Sequence, residues 1–289
     1  MPELPEVENA CRILLRSKLP GRTIERVDVG WAPTVKQPSL EDFVLGLQSR
    51  RVEAVSRRGK YILLPLDNGE TFIIHLGMTG GLSVRPSAQE LDPMVRHSFR
   101  LDDGRTLRFR DPRKFGHLWL TANLDATLPP LGPEPLSPDF TAAALASRLE
   151  NRNAPVKALL LEQSVVAGLG NLYVDESLFL AGIHPSRESG SLTVPEIEGL
   201  HRAILDSLTA ANAIYDRARE AEWPDPPSAL HTWSLPRKEG EPCPRCAAPF
   251  DSLRIRGRGT FCCPVCQPLP EPAIREKAKT SPKPATPIC

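Results

Sequence analysis

Apolar residues recur at Leu4, Val7, Cys11 and Leu14, the three-and-four spacing of one helix face, which predicts a helix over 4–18. Short apolar runs then follow near 22–29, 50–56, 60–66, 70–76, 81–85, 97–102, 105–110 and 116–121. Breakers such as Asp67-Asn68-Gly69 and Asp103-Gly104 separate neighbouring runs, a hairpin signal. In 105–110, Leu107 and Phe109 alternate with Arg108 and Arg110, which predicts one buried face and one basic face. Eight short strands of this kind read as a sandwich or barrel.

The pattern changes at 128–138, where LPPLGPEPLSP forms a proline-rich connector. Helical spacing follows at about 140–151, 155–162 and 172–181. A longer helix is predicted over 194–220, opened by Thr193 and Glu196 with Pro195 in its first turn. Between the second and third of these helices, SVVAGLGN carries no helical period, and 222–236 is irregular with four prolines. The fold expected is α+β and multidomain. A β-sandwich or barrel with its N-terminal helix is expected over 1–130, a helical domain over 131–236, a four-cysteine hairpin module over 237–267, and a disordered Pro/Lys-rich tail over 268–289.

Composition narrows the setting. The chain has 289 residues, 40% hydrophobic and 25% charged, an ordinary balance for a soluble protein of about two domains. No apolar run approaches the roughly 20 residues that span a bilayer, and MPELPEVEN is too acidic for a signal peptide. No membrane partner is expected; a cytoplasmic location follows by default, nucleoid-associated if the chain works on bacterial DNA. Net charge is only +1, so global charge gives a nucleic-acid partner no support. Local charge does: Arg96, Arg100, Arg105, Arg108, Arg110, Arg113 and Lys114 form one basic cluster, and Arg57, Arg58 and Lys60 a second.

Six of the seven cysteines lie at 243 or beyond, which argues against a chain-wide disulfide framework. Cys243-Pro-Arg-Cys246 and Cys263-Pro-Val-Cys266 fit the C-x2-C…C-x2-C zinc pattern. Four thiolates close the tetrahedron, so one structural Zn2+ is expected, with no open position for catalysis. Cys262 is out of phase with that spacing, Cys11 reads as a buried helix residue and Cys289 as a tail thiol.

The N-terminus carries different chemistry. Loss of Met1 would leave Pro2 with a free secondary amine; an α-amino group titrates at about 7.7–8.0, so part of it is neutral near pH 7. Such an amine attacks an aldehyde-like carbon and forms an iminium ion, with Glu3 beside it as general acid or base. Taken alone, Pro and Glu here suit the first turn of a helix better than they suit catalysis.

PELPEVE, RRGKYILL at 57–64, HLGMTG at 75–80, DPRKFG at 111–116, VVAGLGNLYVDESLFLAGIHP at 165–185 and the cysteine module with Arg258-Gly259-Thr260-Phe261 occur in that order. Together they resemble the formamidopyrimidine-DNA glycosylase family, relatives of endonuclease VIII, over residues 2 to about 267. The resemblance implies base-excision repair on damaged double-stranded DNA by a monomeric, bifunctional glycosylase and abasic-site lyase. Pro2 would be the nucleophile at C1′, Glu3 the general acid, Glu6 a second acidic position near the site, and Lys60 the lysine on the phosphate beside the lesion. β- and δ-elimination would then cut the strand on both sides of the sugar. Met78, Arg113 and Phe115 match the residues that fill the gap left by the flipped nucleotide, a task suited to an apolar wedge, a flexible filler and a donor. His75 would contact phosphate. Residues 163–171 would form the turns of a helix–two-turn–helix motif, with Lys157 facing the DNA and Asn171 and Tyr173 holding its backbone. Arg258, on the zinc-finger hairpin, would grip the phosphates at the lesion.

One stretch departs from the pattern. Members that remove oxidised purines carry a Gly-Gly-Ser/Thr-Thr-Leu-Arg-Asp segment after the long helix; here that region reads ANAIYDRAREAEWPDPPSALHTW. Cys262 also stands where an aromatic residue is common. The chemistry can be intact while the lesion differs, so oxidised pyrimidines, or a non-catalytic damaged-DNA binder on the same scaffold, stay open as alternatives. A zinc-ribbon transcription or RNA-binding protein would explain the cysteines but not the N-terminus.

Overall fold

A computed structural model describes residues 1–217 and 233–269. Helix α1 (Leu4–Arg16) opens the chain and is followed by β1 (Thr23–Val29), β2 (Val35–Gln37), α2 (Leu40–Leu47) and β3 (Arg50–Arg51). Seven strands continue: β4 (Ser56–Arg58), β5 (Tyr61–Pro65), β6 (Thr71–His75), β7 (Gly81–Pro86), β8 (Val95–Leu101), β9 (Arg105–Arg110) and β10 (His117–Thr121). They form two five-stranded sheets, ordered β3-β1-β8-β9-β7 and β2-β10-β6-β5-β4. All pairings are antiparallel except β10 with β2. Alternation puts Ile62 and Leu64 of β5, Phe72 and Ile74 of β6, and Leu107 and Phe109 of β9 into one shared core. In β1 the inward residues Ile24 and Val27 are three apart, because the register slips between Ile24 and Arg26.

Each expected strand overlaps one of these elements, although the run at 50–56 is strand only at Arg50-Arg51 and at Ser56, which starts β4; α2 and the short β2 and β4 were not expected as separate elements. For α2 the signal existed: Ser39 caps it by accepting from Asp42 N–H, and Phe43 and Leu47 bury one side. Arg108 also departs from the expected basic face. It is 2% exposed, and its guanidinium donates to the carbonyls of Pro86, Gln89 and Glu90, so β9 is buried on both faces.

Beyond α3 (Leu124–Thr127), the connector is pinned by Glu134. Its carboxylate accepts from Arg57 at 2.6 Å, Arg58 at 2.9 Å and Gly59 N–H at 2.5 Å. A second hydrophobic core joins α4 (Ala142–Leu149), α5 (Val156–Leu160), α6 (Asn171–Ala181) and α7 (Val194–Arg217). Helix α7 starts as its sequence indicates, with Thr193 N–H and Oγ1 both donating to Glu196. A small third cluster of Phe179, Leu235, Cys243, Phe250 and Cys263 lies under the hairpin β11 (Asp251–Ile255) and β12 (Arg258–Cys262). The hairpin turns on Arg256 and Gly257, both with positive φ, the two-residue geometry that matches strand twist. The expected tail at 268–289 and the stretch 222–236 fall largely outside the described residues. No described helix is long and apolar enough to cross a membrane.

Helix α1 ties the parts together. Val7, Ala10, Cys11 and Leu14 enter the sandwich core, whereas Leu4 enters the helical core. Leu4 N–H donates to Gly168 O at 3.0 Å. The first residues of the chain are thereby held at the seam between the two domains.

Candidate active site

Glu3 is the centre of that seam. It is 3% exposed, and its carboxylate accepts from Leu172 N–H at 2.9 Å and Tyr173 N–H at 3.2 Å, the unsatisfied donors at the start of α6. The approach requires glycine at 170, since a Cβ there would lie 2.3 Å from the Glu3 carboxyl carbon. Burial, with Glu6 adding to it, raises the Glu3 pKa above the ordinary carboxylate value, against the pull of Lys60 and the two N–H groups. Lys60 is itself 6% exposed, and burial lowers its pKa, with the charge of Arg258 acting in the same direction. Burial thus makes Glu3 hold a proton more tightly and Lys60 shed one more readily, and Glu3 directly follows half-buried Pro2.

Glu6 closes the arrangement from the other side. One carboxylate oxygen accepts from Glu3 N–H at 2.8 Å; the other accepts from the hydroxyls of Tyr173 and Tyr215, each at 2.8 Å. Tyr215 was absent from the sequence-level site. Its only signal was its place in the apolar row Ile204, Leu208, Ala211 of α7, which reads as core.

A second group forms at the edge of the sandwich. Phe115 is 47% exposed, and the Arg113 guanidinium lies 4.9 Å from its ring centre. Gly77, at φ +63°, brings the Met78 turn so close that a Cβ would lie 2.3 Å from Phe115 O. Asp111 binds both turns, accepting from Thr79 Oγ1 at 3.0 Å and Gly116 N–H at 2.7 Å. His75 lies between the two groups. Burial, helped by the charges of His117 and Lys60, lowers its pKa to about 4. Its Nδ1 accepts from Gly77 N–H, so the proton of the neutral ring is on Nε2.

The four predicted zinc ligands converge, their sulfur atoms all within 4.8 Å of one another. Cys243 and Cys266 Sγ are 3.8 Å apart and Cys246 and Cys263 Sγ 3.4 Å, near the roughly 3.8 Å of a tetrahedron with about 2.3 Å Zn–S bonds. Arg245 and Cys266 N–H point at Cys243 and Cys263 Sγ, each at 3.4 Å, as expected where thiolates carry charge. The donor set fits one structural Zn2+. Cys262 is outside it, buried with Sγ 3.7 Å from His184 Nε2.

Three stretches match family profiles: the formamidopyrimidine-DNA glycosylase N-terminal domain over 1–118, its H2TH domain over 131–218, and the zinc finger found in FPG and IleRS over 240–269. A formamidopyrimidine-DNA glycosylase of Chloroflexus aggregans is 43% identical over 276 residues, covering 93% of this chain and 99% of that protein. The chain belongs to the formamidopyrimidine-DNA glycosylase family. A Geobacillus kaustophilus member is 41% identical over 92% of this chain and 100% of its own. Among solved structures, the Lactococcus lactis glycosylase non-covalently bound to AP-site DNA superposes with a TM-score of 0.81 at 32% identity, covering 92% of this chain and 99% of that one. A MutM complex with carbocyclic 8-oxo-G DNA gives 0.82 at 31% identity, covering 92% and 100%.

Within this formamidopyrimidine-DNA glycosylase fold, Lys157 and Tyr173 are both buried. Lys157 is 0% exposed and does not face solvent. Its ammonium pairs with Asp175 at 2.6 Å and donates to Thr260 Oγ1 at 2.7 Å and Gly259 O at 3.2 Å, so it joins α5 and α6 to the zinc-finger hairpin. Tyr173 is likewise fully buried, with its hydroxyl on Glu6. Asn171 Nδ2 donates to Gly259 O at 3.0 Å, while Arg258 is exposed on the same hairpin. The basic clusters also shrink. Arg57 and Arg58 are held by Glu134, Arg110 by Asp92 and Arg105 by Asp103, while Lys114 lies over the Trp31 ring at 3.8 Å.

Proposed function

We propose that this chain removes damaged bases from double-stranded DNA and then cuts the strand, with the amine of Pro2 as nucleophile. The single observation that carries this reading is Glu3: a buried acid with a raised pKa, beside Pro2 and Lys60, at the seam of two domains. The Pro2 nitrogen attacks C1′ while the glycosidic bond breaks and the base leaves with a proton. Glu3 protonates the ring oxygen as the sugar opens, which gives an iminium ion. Proton loss from C2′ expels the 3′ phosphate, and further elimination expels the 5′ phosphate. Lys60 and Arg258 hold phosphate; Met78, Arg113 and Phe115 occupy the gap. The complexes of family members with AP-site and 8-oxo-G DNA support damaged duplex as partner. The reading needs no residue from a second copy, so we propose action as a monomer, and the bacterial relatives favour work on DNA in the cytoplasm at the nucleoid. Three hydrophobic cores support the proposed division at 130/131 and 236/237, with Leu4 crossing into the second core and Phe179 and Leu235 into the third.

Borohydride trapping on an abasic-site duplex tests the nucleophile. The protein with a free Pro2 should form a covalent adduct, and the form retaining Met1, whose Pro2 nitrogen is an amide, should form none. Absence of an adduct with free Pro2 ends the lyase reading. Parallel duplexes with 8-oxoguanine, formamidopyrimidine and thymine glycol identify the base, since the 218–232 stretch that would contact it lies outside the described residues.

The phosphate roles separate by salt dependence. Arg258→Ala should weaken binding to every duplex and flatten the log K against log salt slope by about one charge. His75→Asn should leave the slope unchanged, because a ring with a pKa of about 4 is neutral at pH 7 and donates only a hydrogen bond. A slope change at His75 equal to that at Arg258 would show a cationic imidazole instead.

A further inference from the structure

Tyr215 is a buried titratable group that the mechanism above does not use. It is 2% exposed, on the last full turn of α7, and its neighbour Asp216 pairs with Arg12 of α1 at 2.5 Å. The turn is therefore clamped onto α1 from two sides. The Tyr215 hydroxyl donates to the same Glu6 oxygen that takes the Tyr173 hydroxyl, both at 2.8 Å. Glu6 uses its other oxygen to hold Glu3 N–H, the amide directly after Pro2. Hydrogen bonds to a carboxylate are short, directional and stronger than neutral ones. Two phenols from two different helices thus set the orientation of one carboxylate, and that carboxylate sets the backbone next to the nucleophile. A phenylalanine would fill the same space, so packing alone leaves the hydroxyl unexplained. Burial and the nearby Glu6 both push the phenol above its usual pKa, consistent with a hydroxyl that stays the donor in this contact.

We propose that Tyr215 is a positioning residue of the active site, acting through Glu6 to fix the Pro2–Glu3 backbone. This rests on the Pro2 reading. Tyr215→Phe should lower the single-turnover trapping rate on abasic-site DNA about tenfold, the scale of one hydrogen bond to a charged group. The Kd for uncleavable duplex should stay unchanged, and the variant should remain fully folded at the assay temperature, its melting temperature lowered by only a few degrees. In a Glu6→Ala background, where no side-chain acceptor remains for the phenol, the Tyr215→Phe change should add nothing, because the contact it removes is already absent. An unchanged rate in the single variant, or effects of the two changes that multiply, overturns the proposal.

A measurement independent of turnover keeps the two readings apart. The chain has three tyrosines, so 13C labelling at Cζ gives three resonances. The Tyr215 signal, assigned by its loss in Tyr215→Phe, should move in Glu6→Gln whether or not the protein traps DNA. A stationary signal overturns the Tyr215–Glu6 contact by itself, while absence of trapping in the parent protein overturns the Pro2 reading instead.

Discussion

Stripping zinc from the full-length protein is expected to reduce affinity for an abasic-site duplex by at least about 100-fold, because the metal replaces a core that the hairpin region lacks. The third hydrophobic cluster has five buried members, and two of them, Cys243 and Cys263, are themselves ligands. A lone two-stranded hairpin is marginal in water, and β11–β12 pairs with no third strand among the described residues. Structural zinc contributes about 10–16 kcal/mol in small zinc fingers, far more than so few side chains supply. Without it, Arg258 has no fixed position from which to hold phosphate. The sandwich core shares none of these residues, so far-UV circular dichroism should retain its β signal. Reductive methylation of the Pro2 amine should proceed at an unchanged rate, since Glu3 and Lys60 are held by α1, β5 and α6. Restoring Zn2+ should restore binding. Undiminished affinity in protein shown to be metal-free would refute the support role.

The parts of this molecule that repeat a local rule were legible without coordinates. Alternation located the long strands, and i, i+3, i+4 spacing located α1, α6 and α7. C-x2-C spacing located the zinc centre, because chelation needs only four thiolates at short separations. The N-terminal Pro-Glu pair was legible as chemistry but not as geometry. Nothing local says that Glu3 is capped by a helix starting 168 residues later, or that Gly170 is there to admit it. Charge was the least legible property. Arg57, Arg58, Arg105, Arg108 and Lys157 all read as surface cations, yet each is committed to a carboxylate or to carbonyls within the protein. Sequence shows how many charges a segment carries, but their partners come from distant segments such as Glu134 and Asp175. Tyr215 failed for the same reason, since its partner lies 209 residues away.

Lys157→Met is expected to destabilise the helical and zinc-finger region by about 3–5 kcal/mol, the range for removing one partner of a buried ion pair. Lys157 and Asp175 side chains are both 0% exposed, at 2.6 Å. Losing the ammonium leaves Asp175 with Arg237 alone, at 3.1 Å, and leaves Thr260 Oγ1 without its 2.7 Å donor. Burial already pushes the Asp175 carboxyl above its ordinary pKa, with Lys157 foremost among the groups opposing that shift. Removing Lys157 should therefore make Asp175 take up a proton at higher pH. Its folded pKa would then stand further above the unfolded value, so the variant loses stability as pH rises through that folded pKa. Replacing both partners, as Lys157→Met with Asp175→Leu, should recover most of the loss, because no buried charge is then orphaned. The experiment also decides between two roles for Lys157. A lysine that faced DNA would, on mutation, lower the salt slope by about one charge and leave the melting temperature alone. A lysine that braces the hairpin should lower the melting temperature first, and lower DNA affinity only through the displaced Arg258. Restoration of both stability and affinity in the double variant would establish the bracing role, whereas restored stability with affinity still lost would place the lysine at the phosphate after all.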